Sequence, residues 1–299
     1  MVLQALESVS SFLAVARAVH MTSCAALASV FVFERAVARR CGAIPKRGLI
    51  IRTAILLIVI SGIAWFAAVT IEMTGLPASE ALSRENLLNV LGNTDFGSLW
   101  QKRAGIAIGM PIAWLLLRLV RRKPNGIAML FGSVALLGSL AWAGHGSYGQ
   151  RPTTHLIADV IHLIVLAIWP AGLLPLWMIL RSEIDIARFT FIVNRFSNLA
   201  LLSVTALIAT GWINSWMLIG SWRGLIDTAY GQTLLVKLIL LLGMVLLGAA
   251  NLIYLRPRIA TTRNALRLLR INVALEAVLT LGILLVVGYL GILPPSVDL

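Results

Sequence analysis

The chain has 299 residues, 59% of them hydrophobic and only 12% charged, with a mean hydropathy of +0.92. Soluble domains carry about a quarter charged residues, so a water-soluble fold is excluded, and at about 20 apolar residues per crossing the hydrophobic content fills about eight membrane helices. The net charge of +13 fits Lys and Arg gathered in cytoplasmic loops and needs no nucleic acid partner, and two cysteines exclude a disulfide framework or a Cys-rich zinc site.

Eight apolar segments follow one another: Ser10–Phe33, Leu49–Met73, Arg103–Leu119, Ile127–Gly144, Leu156–Leu180, Ser197–Ile219, Thr233–Leu255 and Leu268–Ile292. They are continuous and Leu-rich, not ten-residue alternating stretches. They therefore predict an all-α polytopic bundle of eight transmembrane helices in contact with membrane lipid. No basic region precedes the first segment, so it is expected to span and not to be cleaved. Pro111 and Pro170 are expected to interrupt the third and fifth helices.

Connections alternate in charge. The first carries Arg35, Arg39, Arg40, Lys46, Arg47 and Arg52, the second Glu72, Glu80, Glu85 and Asp95, and the third Arg121, Arg122 and Lys123. The fifth and seventh are again rich in Arg. The positive-inside rule then places the basic connections in the cytoplasm and both termini outside, in the periplasm if the membrane is a bacterial inner membrane.

The halves 1–150 and 151–299 echo each other. Arg17 and His20 in the first helix match Asp159 and His162 in the fifth. Ser61-Gly62 matches Thr210-Gly211. Thr94-Asp95-Phe96-Gly97 followed by Arg103 matches Thr228-Ala229-Tyr230-Gly231 followed by Lys237. Four helices per half give both copies one orientation, a parallel repeat. It predicts His20 and His162 at similar depth, and an Arg17–Asp159 ion pair between the halves.

Candidate chemistry gathers in the outer half. His145 ends the fourth helix and His155 begins the fifth, with Asp159 and His162 four and seven residues further along the same face. Neutral imidazole is the commonest metal ligand, and a carboxylate can fix its tautomer. The bland alternative is that these groups simply pair with one another or with Arg17. His20 is followed by Met21 and, one turn on, by Cys24, a donor set that favours a soft ion such as Cu(I); Cys24 is more simply a packing residue. Glu72 and Met73 at an outer helix end are secondary candidates. Glu276, eight residues into the last helix, either pairs with Arg270 or relays a proton or ion. Walker, dinucleotide-binding and His-Glu-x-x-His motifs are absent, so a non-enzyme is expected.

Over most of its length, and most strongly from Trp142 to Pro294, the chain resembles the copper resistance protein D (CopD) family, with a core at about residues 126–294. The resemblance is carried by Gly144-His145-Gly146, Asp159 with His162, Trp169 with Gly172, Arg195-Phe196-Ser197, Thr210-Gly211, Thr228-Ala229-Tyr230-Gly231, Lys237, Ala250-Asn251, Glu276 and Pro294. Pro170 stands where the family pattern has a smaller residue. The resemblance implies an eight-helix inner-membrane protein that handles copper, and a separate periplasmic copper-binding partner (CopC). Three functions follow. A copper transporter would pass the ion from His145 and His155 to His162 and His20. A redox protein would hold haem b between His20 and His162. A receptor would dock the copper chaperone without transport.

Overall fold

A computed structural model describes residues 2–39, 44–121, 126–144, 152–182 and 185–298. His145, Cys41 and Lys123 lie outside the described residues. Every regular element among them is helical. Seven helical segments are long and apolar enough to cross a membrane: 9–36, 47–74, 95–120, 153–180, 186–219, 229–258 and 263–290. The eighth expected segment, Ile127–Ala143, is shorter. It comprises α6 (Ile127–Gly138) and a 3₁₀ turn (Ser139–Ala143). At 1.5 and 2.0 Å per residue it still extends about 28 Å, close to the hydrocarbon thickness.

The first two spans are α1 (Val2–Ala36) and α2 (Arg47–Thr74). Two short helices, α3 (Ala78–Ala81) and α4 (Arg84–Asn93), carry the chain to α5 (Asp95–Arg121). The fifth expected segment is two helices, α7 (Pro152–Ile168) and α8 (Leu173–Leu180). Then come α9 (Ile186–Ile219), the short α10 (Trp222–Asp227), α11 (Ala229–Ala250) and α12 (Arg263–Leu290). Two of these spans start earlier than hydropathy predicts. α5 begins eight residues before Arg103 and α9 eleven before Ser197, because Thr94 and Asp185 cap the backbone N–H groups there.

The two prolines behave differently. Pro111 sits inside an unbroken α5, contrary to the expected interruption. Pro170 does break its helix. It has no N–H to offer Leu166, whose carbonyl instead accepts from Ala171 N at 3.0 Å, one residue wider than α spacing. Gly172 closes the break, where a Cβ would meet Ile168 O at 2.1 Å and the Phe196 ring at 3.0 Å. A second break follows α11, where Asn251–Leu255 form a π turn.

The arginine-rich connections collect at one end of the bundle, called here the basic end. Arg270 Nε donates to Leu180 O at 2.6 Å, and Arg195 Nε to Ala36 O, so two helix C-termini are capped by arginines of other helices. Arg256 bonds Asn194 and Asn198. Arg270 is thus committed to a carbonyl, and the expected Arg270–Glu276 pair is not formed. Around the waist the outer surface is apolar: Leu119, Phe131, Leu202, Ile239 and Val278 are each more than 60% exposed, a surface suited to lipid tails.

Small residues set the close crossing of α1 and α12. A Cβ on Gly288 of α12 would lie 2.5 Å from Ala14 O and 2.7 Å from Ala18 Cβ of α1. Both obstacles are rigid, so Gly288→Ala must push the two helices apart, at a cost of about 1–3 kcal/mol. A lowered melting temperature in detergent is expected. Gly243→Ala, which would meet only the tip of Leu279 at 3.5 Å, should leave it unchanged. Equal melting of the two variants would contradict this packing.

Candidate metal centre

The two repeat histidines sit in matching surroundings. His20 Nδ1 is 3.0 Å from Ser61 Oγ, and Gly62 lies against the imidazole edge. His162 Nδ1 is 2.8 Å from Thr210 Oγ1, with Gly211 against its edge. In both pairs the hydroxyl has already given its hydrogen to a carbonyl one turn back, Leu57 O for Ser61 and Ala206 O for Thr210. The hydroxyl therefore accepts from the ring, which fixes the proton on Nδ1 and leaves the lone pair on Nε2. The caps ahead of α5 and α11 correspond as well. Thr94 Oγ1 accepts from Gly97 N at 2.9 Å and Thr228 Oγ1 from Gly231 N at 3.0 Å.

The fate of that lone pair separates the two histidines. Arg103 Nη2 lies 2.7 Å from His20 Nε2 and 3.8 Å from Cys24 Sγ, while Nη1 bonds Leu136 O at 2.8 Å and Ser139 Oγ at 2.5 Å. A guanidinium only donates, so the His20 lone pair is consumed. Trp65 and Trp100 pack on the same imidazole, at 5.6 and 5.8 Å between ring centroids. His20, Cys24 and Arg103 are all buried. In the second half, Lys237 stands where Arg103 would be, and among the described residues no hydrogen-bond partner reaches His162 Nε2. Counting on four from Ser61 and Thr210, the place of Trp65 is taken by Asn214; counting back three from Arg103 and Lys237, that of Trp100 is taken by Leu234. Smaller side chains leave space, and His162 opens onto a cavity of about 180 Å³.

That cavity is the polar focus of the molecule. Arg17, Met21, His155, Asp159, Asn214 and Lys237 border it beside His162. Four buried side-chain nitrogen or oxygen atoms among the described residues lack any partner: Arg17 Nε, Trp65 Nε1, His155 Nε2 and Asn214 Oδ1. All four residues line this one cavity. Unpaired buried polar atoms are rare and mark the place of water, an ion or a ligand.

The expected ladder of His155, Asp159 and His162 is therefore brought to one cavity. His155 Nε2 is 4.0 Å from Asp159 Oδ2, and Asn214 Nδ2 donates to Asp159 Oδ1 at 2.5 Å. The expected Arg17–Asp159 ion pair is not formed. The Arg17 guanidinium lies 4.7 Å above the Trp65 ring and rests on Gly291, where a Cβ would come within 2.2 Å of it. Among the described residues, no three His, Cys, Asp or Glu side chains stand close enough to hold a metal ion together. Glu72 and Met73 are exposed at the end of α2, apart from the cavity lining. Glu276 is buried in the other half of the bundle.

Haem does not fit between His20 and His162. His20 has no free ring nitrogen, and the cavity is smaller than the roughly 300–1,000 Å³ of ordinary small-molecule pockets. Lys237 stood out in sequence as the counterpart of Arg103, whereas the cavity-lining Asn214 did not. Asn214 becomes visible only when the second-half helix is laid on the first from Thr210, and its polarity is then the anomaly.

Residues 7–151 match the family described as Copper resistance protein D-like, N-terminal domain, and residues 191–290 match Copper resistance protein D. The chain is 29% identical to "Copper resistance protein D" of Pseudomonas syringae pv. tomato, over 88% of this chain and 89% of that protein. It is 31% identical to "Copper transport protein CutJ" of Bacillus subtilis (strain 168), over 58% of this chain and 33% of that protein. "Inner membrane protein YebZ" of Escherichia coli (strain K12) is 31% identical over 58% of this chain and 59% of its own length. No solved structure matches the chain. With two descriptions of one family covering most of its length, and a helical architecture built to cross a membrane, the chain belongs to the copper resistance protein D family.

Proposed function

We propose that the chain is a copper transporter of the inner membrane and not an enzyme, and that His162 is the ligand at its outer copper site. One observation carries this: the Nε2 lone pair of His162 opens onto the cavity where every unpartnered buried polar side-chain atom of the described residues is gathered. The placement takes α6 and its 3₁₀ turn as an eighth crossing beside the seven long spans. Although short, α6 starts beside Phe31 near the basic end of α1 and its 3₁₀ turn leads to Gly144, which shares the cavity with Arg17 and Gly291 at the other end. An eight-span chain with its arginines inside has both termini in the periplasm, and the cavity then faces the periplasmic side. The matching Ser61–His20 and Thr210–His162 pairs support two parallel four-helix repeats.

The cavity chemistry favours Cu(I) over a divalent ion. Imidazole and the Met21 thioether are soft neutral donors. Arg17 and Lys237 border the same cavity and oppose any cation, and because Coulomb repulsion scales with ionic charge a doubly charged ion meets twice the barrier of a singly charged one. Asp159 offsets part of this. A site with few strong ligands also suits passage, because an ion in transit must be able to leave. Copper would arrive from solution or from a periplasmic chaperone of the CopC kind, approach past His155, and settle on His162.

Four outcomes test this. In detergent, competition with a Cu(I) chelator should show tight binding in the wild type, loss in His162→Ala, and retention in His20→Ala and Cys24→Ala. Equal loss in His20→Ala and His162→Ala would contradict the open-site assignment. Thr210→Val removes the hydroxyl that holds the His162 tautomer and should weaken Cu(I) by about 10–100-fold. Asn214→Trp installs the residue of the first half and should fill the cavity and abolish binding, with the melting temperature retained. In proteoliposomes, wild-type protein should accumulate copper above empty vesicles and His162→Ala should not. Binding without accumulation would identify a receptor instead.

A further inference from the structure

The cavity accounts for one half of the bundle only. In the other half a second polar cluster is built around Glu276 of α12, which is 2% exposed. Asn251 Nδ2 donates to Glu276 Oε1 at 2.5 Å, and Asn272 Nδ2 donates in turn to Asn251 Oδ1 at 2.9 Å. A Cβ on Gly248 would be 3.9 Å from both the Trp169 ring and Glu276 Oε2, so the indole and the carboxyl are neighbours. Thr280 Oγ1 donates to Glu276 O at 2.9 Å and lies 3.6 Å from the fully buried Met244 Sδ. These neighbours come from the π turn, α11, the Pro170 break and α12 itself, and all are neutral. No charged side chain among the described residues faces it. Arg256 and Arg270, the basic residues nearest along the π turn and α12, are committed to Asn194, Asn198 and Leu180 O.

Two features make this cluster more than a buried acid. First, both helix breaks in the second half converge on it: Trp169 comes from the Pro170 break and Asn251 from the π turn. Broken helices at membrane depth are tolerated where they serve a site, and π turns concentrate at functional positions. Second, a carboxylate without a counter-charge is costly in hydrocarbon, so the group holds a proton unless a cation replaces it. Glu276 is six residues, about 9 Å, from Arg270 at the basic end, within reach of that surface if the π turn shifts.

We propose that Glu276, held by Asn251 and neighboured by Trp169, is an exchangeable proton-binding site that loads and unloads at the basic end. Its use in driving copper movement rests on the transport assignment above, whereas the proton site itself does not. The test is labelling of the wild-type protein in membranes with a hydrophobic carbodiimide. The acid proton passes to a reagent nitrogen, the carboxylate oxygen adds to the reagent carbon, and rearrangement leaves a stable acylurea detectable by mass spectrometry. The expected result is modification of the Glu276 peptide, falling steadily as the medium is made alkaline, with none at that peptide in Glu276→Gln. Absence of modification in folded protein, or modification that does not change with pH, would overturn the proposal. Coupling is read separately. An imposed pH gradient should change the rate of copper uptake into wild-type proteoliposomes, and that response should vanish in Glu276→Gln while Cu(I) binding in detergent stays intact. A full gradient response in Glu276→Gln would overturn the coupling role. If wild-type vesicles take up no copper at all, the transport assignment fails, and the labelling result still decides the proton site.

Discussion

Inside a bilayer no water is at hand to satisfy a polar side chain, so each buried nitrogen or oxygen has to find a partner within the protein or hold one from outside. Most of this molecule obeys the first alternative. Ser and Thr hydroxyls bond back to carbonyls of the preceding turn throughout the spans, and arginines at the basic end close helix C-termini. Among the described residues, the side-chain exceptions gather in one cavity. That concentration gives a family resemblance a physical location.

Arg103 decides which of two similar histidines is available. Its guanidinium reaches from α5 across to α1, takes the lone pair of His20, and is itself anchored on the last turn of α6. The first half is thereby a finished structural core, packed with Trp65, Phe96 and Trp100. The second half keeps the same frame of imidazole, hydroxyl and glycine, but Asn214, Leu234 and Lys237 replace the bulk. The same local frame is thus filled in the first half and left open in the second.

The helical plan was legible because it follows from composition: apolar runs of spanning length separated by charged connections admit one solution in lipid. The ladder of His155, Asp159 and His162 was legible too, since positions four and seven apart on one helix must share a face. The occupancy of His20 was not. It depends on α5 lying against α1 with Arg103 at the right height, and no spacing along the chain fixes contact between helices 83 residues apart. The Arg17–Asp159 pairing misled for the same reason, because Trp65 and Gly291 offered Arg17 a platform that the sequence of α1 does not announce. Pro111 and Pro170 look alike in sequence, yet only Pro170 ends its helix, beside a glycine that permits the tight break.

Opening of one imidazole onto an unsatisfied cavity is the claim on which the functional account stands. Copper-edge anomalous scattering from copper-loaded protein tests it most directly. The account predicts a single strong peak at bonding distance from His162 Nε2, with the Arg103 guanidinium still on His20. A peak between His20 and Cys24 with Arg103 displaced, or copper confined to the surface away from α7, would contradict it.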